Sequence, residues 1–306
     1  MSNQRSKGIV GIFILITVLF LIFLIFAFYT VSTLKDSQGL SESLNAKNAP
    51  IAVIEVEGVI MESRKTVEKL IKAEKDDKIK AIIVRVNSPG GAVGPTQEIY
   101  EEIRRIDKEK PVYASFGTVA ASGGYYIGAA CRKIYSPAGA LTGSIGVIMN
   151  FTNLEKLYEW AKIKPEVIKA GKYKDIGSPA RSMTKEERLL LTELIEDTHE
   201  QFIMDIFKVR EQKLVEGIEG LRKYAQGQIF SGQGAKERGL VDEIAGLWQA
   251  GRLIHQELEL KEEFGFKFIK LKKESQLMEI LGGLEESVQD LGYFLKADSV
   301  PLLLHK

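Results

Sequence analysis

The chain has 306 residues, enough for one large domain or two small ones with an ample core. Its 42 Lys and Arg against 41 Asp and Glu leave a net charge of +1, which excludes a global field selecting for nucleic acid. A single cysteine, Cys131, excludes an internal disulfide and a zinc cluster, so redox compartment cannot be read from cysteine usage.

Arg5 and Lys7 precede an uncharged run over 8–31 dominated by Ile, Leu, Phe and Val. The run exceeds the ~20 residues needed to cross a bilayer. It is also longer than the apolar core of a cleavable signal, and no convincing small-x-small site follows it. Residues 8–31 are therefore expected to be a single-pass signal anchor, with residues 1–7 in the cytoplasm and the remainder outside, because positive flanks stay inside. Residues 32–50, polar and rich in Ser, Asn and Lys, read as a tether.

The folded part opens with a strand at 51–56, continued past a turn or bulge by Gly58-Val59-Ile60. A charged amphipathic helix is predicted over 66–74, then a strand at 81–86 whose β-branched run suits burial on both faces of a parallel sheet. Asn87-Ser88-Pro89-Gly90-Gly91 breaks that strand, and a helix follows over 95–106. A strand at 111–115 ends at a break at Gly117, and a small-residue helix runs from Ser122 to about Ala130. Further strands are predicted at 133–136, 144–149 and 167–168. Thr184-x-x-Glu187 is a capping-box pattern ahead of a long helix reaching about Val209. A short helix begins at Ser231 and stops at Gly239, and 245–258 is helical. The βαβα order predicts an α/β domain with helices layered on a largely parallel sheet. Residues 271–306 have no clear place in it.

Ser122, in Ala120-Ala121-Ser122-Gly123-Gly124-Tyr125-Tyr126, falls at a strand-to-helix junction, where free N–H groups point outward. A hydroxyl there can cap the helix, or it can attack a carbonyl while the following N–H stabilises the oxyanion. A nucleophilic serine needs a base. His199 and His255 lie inside predicted helices and His305 is penultimate, so a Ser-His-Asp triad is not expected. A lysine can serve if desolvation makes its neutral form available. The stretch Ala170-Gly171-Lys172-Tyr173-Lys174-Asp175 offers Lys174, with Lys169 and Lys172 as alternatives on pattern alone. The amides of 87–91 could supply a second oxyanion donor. In Thr142-Gly143-Ser144-Ile145-Gly146 the strand context fails that of a nucleophile elbow, but the Ser144 hydroxyl could orient an amine.

These stretches, together with Ile229-Phe230-Ser231-Gly232-x-x-Ala235 and Gly239-Leu240-Val241-Asp242, resemble the signal peptide peptidase A family over about 50–270. The resemblance implies a ClpP/crotonase-like layered α/β fold and a serine peptidase domain over 51–270. It implies a Ser-Lys dyad with Ser122 as nucleophile and Lys174 as general base. Ser144 would orient Lys174, and the amides of Gly91 and Gly123 would form the oxyanion hole. No metal or organic cofactor is implied. Expected substrates are cleaved signal peptides and other short apolar peptides at the outer face of a bacterial plasma membrane. The short length of the chain resembles single-copy members, implying a ring-shaped homo-oligomer, an octamer, in which Lys174 of one copy serves Ser122 of its neighbour. Two other classes share the fold: an acyl-CoA enzyme, for which paired glutamates at strand ends are missing, and a non-catalytic membrane scaffold.

Overall fold

Two β-branched runs, Ile51–Glu57 (β1) and Ala81–Ser88 (β2), pair in parallel from Ile51 opposite Ala81 to Glu57 opposite Asn87. Their side chains alternate between two buried faces, which is why neither run shows a polar side along most of its length. Ala52, Ile54, Ile82 and Val84 point into one core cluster, and Ile51, Val53, Ala81 and Ile83 into the other. The computed structural model that carries these elements describes residues 18–26 and 49–271.

The connections place most helices on the first face. These are α1 (Arg64–Glu74), α2 (Val93–Ile106), α3 (Gly123–Ala129) and the long α5 (Lys185–Arg210), with the short α4 (Glu155–Trp160) preceding α5. After α5 come α6 (Gly217–Tyr224) and α7 (Gly232–Glu237). The second face is covered by α8 (Leu247–Glu257), through Ala250 and Ile254. The sheet has eight strands. Beyond β1 and β2 these are β3 (Val112–Ala121), β4 (Lys133–Ser136), β5 (Leu141–Gly143), β6 (Ile229–Ser231), β7 (Glu243–Ile244) and β8 (Phe266–Phe268). Its main path runs β6-β5-β3-β2-β1-β8, and every pairing is parallel except β5 with β6. The predicted α/β class and largely parallel sheet are therefore observed.

β3 has two halves. Tyr113 to Ser115 pair with β4, whereas Val119 to Ala121 pair with β5, and β2 occupies the other edge of the strand throughout. The break expected at Gly117 is a bulge rather than an end. From Val86 opposite Phe116 to Ser88 opposite Ala120, β3 advances four residues while β2 advances two. Asn87 braces the extra length by accepting at Oδ1 from the Thr118 and Val119 amides, at 3.1 and 3.3 Å. β3 therefore reaches Ala121 and hands the chain straight to α3.

Three other expectations are corrected. The residues predicted as a strand over 144–149 form none: only Ser144 and Ile145 bond to the chain before β6, at Gln228 and Gly227, and the ladder lies just before them, in β5. Gly143 and Ser144 have φ of 84° and 50°, which turns the chain out of the sheet. Val167 and Ile168 belong to no strand and are exposed, so their β-branched pattern finds no ladder to join. The anchor expected over 8–31 lies mostly outside the described residues. Of it, 18–26 are helical with exposed apolar side chains, and no helix among the described residues is long and apolar enough to cross a membrane. Most of the tether and nearly all of the tail also lie outside the described residues, and the compact unit ends at Ile269.

The C-terminal end of α5 is pinned by a buried ion. Arg210, fully buried, donates from Nε (3.1 Å) and Nη2 (2.7 Å) to the Gly239 carbonyl and pairs through Nη1 with Asp242 at 3.1 Å. Asp242 also accepts the Ile134 amide at 2.7 Å and meets Lys213 at 3.0 Å. Burial alone would raise the Asp242 carboxyl. The charge and hydrogen bond of Arg210, with Lys213 and the Ile134 amide, outweigh it and hold the group below its ordinary value. A depressed folded-state value contributes stability above the unfolded pKa of about 3.9, lost as pH falls through the folded value. Asp242→Asn should thus destabilise the domain at pH 7 by about 3–5 kcal/mol, since it leaves Arg210 buried without its anion. The gap in Tm between wild type and variant should close as pH is lowered from about 5 to below 3. Thermal melts across that range check both, and a pH-independent gap counts against the pair.

Candidate active site

The nucleophile candidate sits where β3 gives way to α3. Ser122 is the single residue between them, half-buried, with φ 53° and ψ −121°. A non-glycine residue held there is strained by about 1–3 kcal/mol and persists only where its surroundings over-determine it. They do so here. The Ser122 amide donates to the Gly143 carbonyl at 2.9 Å, its carbonyl accepts from Tyr126 at 2.9 Å, and all seven residues of α3 are buried.

Ser144 leaves β5 at the same level. Ala121 and Gly143 are in register, so the residues following them, Ser122 and Ser144, exit adjacent strand ends, both at positive φ. The Ser144 amide donates to the Gln228 carbonyl at 2.7 Å, which fixes its backbone against the chain leading into β6.

The loop after β2 closes over this junction. Ile60 bridges Gly91, donating to the Gly90 carbonyl at 3.0 Å and accepting from Ala92 at 2.7 Å. The Gly91 nitrogen is engaged in neither bond and lies 3.3 Å from where a Cβ at Gly123 would stand. A side chain at Gly91 would stand 2.0 Å from the Ile60 carbonyl oxygen. One at Gly90, where φ is 106°, would stand 2.8 Å from the Gly123 nitrogen and 2.9 Å from Ser122 Cβ. Only glycines let the two backbones approach this closely. Gly123 opens α3, and its N–H has no acceptor one turn back. Gly91, Ser122 and Gly123 thus lie together at the turn between β3 and α3 and the loop after β2.

Ser88, which the sequence did not single out by itself, holds this loop. Fully buried, its hydroxyl donates to the Gly58 carbonyl at 2.6 Å and accepts from the Gly90 amide at 3.1 Å.

Ser122, Gly91 and Gly123 line a cavity of about 130 Å³, with Val93, Tyr126 and Phe202 among its walls. Tyr126 meets Phe202 edge to face with ring centroids 4.7 Å apart and donates its hydroxyl to Asp205. Burial, reinforced by the Asp205 carboxylate, pushes the Tyr126 phenol far up, so it remains a neutral donor and the cavity wall stays uncharged.

Lys174 is not among the residues lining that cavity. It lies in a loop of successive turns, where its amide donates to the Gly171 carbonyl at 3.3 Å, and its side chain is exposed with no hydrogen bond or ion pair among the described residues. The alternatives are engaged: Lys169 binds Asp175 and the Lys172 carbonyl, and Lys172 binds Glu186. His199 and His255 lie in α5 and α8 and do not line the cavity, and His305 lies outside the described residues. Among the described residues no cluster of three or more His, Cys, Asp or Glu side chains is placed to hold a metal ion. Within one copy, then, the structure brings together Ser122, Gly123, Gly91 and the Ser144 backbone, and leaves Lys174 outside the cavity.

Comparison with known proteins fits this geometry. The profile of peptidase family S49 matches residues 104–261, which include Ser122, Ser144 and Lys174. The Clp protease profile matches residues 51–138, which include Gly91 and the first three strands, in keeping with the layered fold. The chain is 43% identical over 195 residues to slr0021, a candidate protease of Synechocystis sp., covering 63% of this chain and 69% of that one. It is 32% identical over 213 residues to a candidate signal peptide peptidase of Enterococcus faecium (65% and 61%). To the chloroplastic serine protease SPPA of Arabidopsis thaliana it is 32% identical over 232 residues (75% and 34%). The chain thus spans between about a third and two thirds of the length of these relatives. A profile matched over half of the chain and a relative matched over two thirds of its length agree with the serine-bearing junction: the chain belongs to peptidase family S49 and is a serine protease hydrolase.

Proposed function

We propose that the protein is a membrane-anchored endopeptidase in which Ser122 and Lys174 form a catalytic dyad completed between copies. The observation that carries this reading is the strained Ser122 lining a cavity without charged walls, beside the Gly91 and Gly123 backbones. Ser122 Oγ attacks the scissile carbonyl as the neutral Lys174 amine takes its proton, and the oxyanion is held by the Gly91 and Gly123 amides. The lysine ammonium then protonates the leaving amine. A water deprotonated by the same lysine hydrolyses the acyl-enzyme, and Ser144 orients the lysine through its hydroxyl.

Completion between copies follows from the exposed, unpaired Lys174. It is also favoured by the apolar side chains exposed along the stretch that precedes its loop, including Trp160, Ile163 and Ile168. Docking of a second copy would cover that surface and desolvate the amine, and a closed ring, an octamer on the family resemblance, buries every such surface in turn. The cavity suits small or apolar side chains, and the run over 8–31 would hold the site beside the outer face of a bacterial plasma membrane. Cleaved signal peptides and other short apolar peptides meet both conditions.

Two experiments on the full-length chain test this. In hydrolysis of a synthetic signal peptide, Ser122→Ala and Lys174→Ala should lose essentially all turnover, and Ser144→Ala should lose about 10–100-fold. Wild-type turnover by Ser122→Ala moves the nucleophile elsewhere. Because only the neutral amine accepts the proton, the wild-type rate should climb from mildly acidic to alkaline pH, and a flat profile across roughly pH 6–9 argues against a lysine base. Secondly, co-assembly of Ser122→Ala with Lys174→Ala should restore activity, since mixed neighbours contain one intact dyad. A mixture as inactive as its components would place both residues' chemistry within one copy.

A further inference from the structure

We infer that Asp175, Arg181 and Glu187 form a rigid clamp that positions Lys174 for delivery to Ser122, an inference that rests on Lys174 being the general base. A lysine on an exposed loop is a poor catalyst unless the loop is pre-organised, because ordering it on arrival at a neighbour's site consumes binding free energy. The loop around Lys174 is built of short turns, Lys174 to Gly171 and Ile176 to Tyr173, with Gly171 and Gly177 at positive φ. Turns alone do not hold such a segment against the body of the domain.

The residue directly after Lys174 supplies the hold. The Asp175 carboxylate is 13% exposed and both its oxygens are engaged, one by Lys169 and the other by Arg181 Nε at 2.9 Å. The remaining guanidinium nitrogens of Arg181 form a fork on Glu187, at 2.9 and 2.5 Å. Such a planar two-point contact fixes orientation as well as distance. Glu187 is itself immobilised. It is buried, lies in the first turn of the 26-residue α5, and shares a capping box with Thr184. Its carboxylate accepts the Thr184 amide at 2.9 Å and its own amide donates to Thr184 Oγ1 at 3.1 Å.

The connection therefore runs from Lys174 through the adjacent peptide to Asp175, Arg181 and Glu187, and so into a long helix. That same helix supplies Phe202 to the cavity wall and ends on the buried Arg210. Hydrogen bonds from Arg181 hold both carboxylates well below the usual carboxylate range, so the clamp stays ionised through mildly acidic pH. The cluster is also charge-balanced, Lys169 and Arg181 against Asp175 and Glu187, which keeps the neighbouring carboxylate from capturing the Lys174 amine. Tyr173 and Lys172 add contacts to Glu186 on the exposed side, where ion pairs contribute little.

The test uses full-length wild type, Arg181→Met, Lys174→Ala and the double variant. Turnover of an apolar peptide is measured, together with the rate at which Ser122 reacts with a fluorophosphonate. Arg181→Met should lower kcat about 10–100-fold with KM changed less than about twofold, measured well below a Tm that falls because Asp175 and Glu187 lose their cation. In the Lys174→Ala background it should add nothing to the loss of labelling rate, because its effect passes through that lysine. Wild-type kcat in Arg181→Met, or an equal further loss in the Lys174→Ala background, overturns the clamp. If Arg181→Met fails to fold, Asp175→Asn decides on the same criteria, since it keeps shape and removes one arm. Full activity in Lys174→Ala removes the base assignment and the clamp with it. An inactive Lys174→Ala beside a fully active Arg181→Met removes the clamp alone.

Discussion

The hydrogen bond from the Ser122 amide to the Gly143 carbonyl is the constraint on which the site depends. It extends the β3–β5 ladder by one residue beyond the last paired position and obliges the chain to turn into α3 at once. The turn is reached only by placing Ser122 at positive φ, which aims its side chain away from the sheet. The free energy stored in that conformation is offset by burial of α3, whose Tyr125 and Ile127 are fully enclosed. A less buried helix would let the serine relax.

That ladder exists because β3 is longer than its neighbours. The bulge braced by Asn87 carries β3 past the end of β2, and the sheet edge passes from β4 to β5. Two strand ends, those of β3 and β5, thereby deliver serines to one level, while the loop after β2 folds over them with Gly91. The structural roles of Asn87 and Ser88 are to hold backbone, one through a side-chain carbonyl and the other through a hydroxyl. Their effect on chemistry runs through the amides and strand ends they fix.

The helix α5 is the second organising element. Its buried Arg210 anchors one end against Gly239 and Asp242, its middle supplies Phe202 to the cavity, and its capped start carries the contacts that reach the Lys174 loop. One rigid element thus relates the cavity to the loop that carries Lys174. A rod of this kind couples substrate space and loop position without any flexible joint between them.

Much of this was legible from the chain alone. The β-branched run at 81–86 announced a strand buried on both faces, the Thr184-x-x-Glu187 pattern marked the start of α5, and Asn87-Ser88-Pro89-Gly90-Gly91 marked the break after β2. Local chemistry sufficed there, because propensity, capping and steric freedom are properties of short segments. The same local signals misread Gly117 as an end and 144–149 and 167–168 as strands. Whether an extended segment joins a ladder depends on a partner edge that no short segment contains. The Arg181 contacts to Asp175 and Glu187 likewise carried no pattern, since ion pairs are made by side chains that only the folded loop brings within reach. The sequence by itself determined the residue types that can do the chemistry and the turns that carry them. Tertiary structure alone decided which of them share a cavity, because convergence of Ser122, Gly91 and Gly123 is set by sheet register and loop packing across the whole domain.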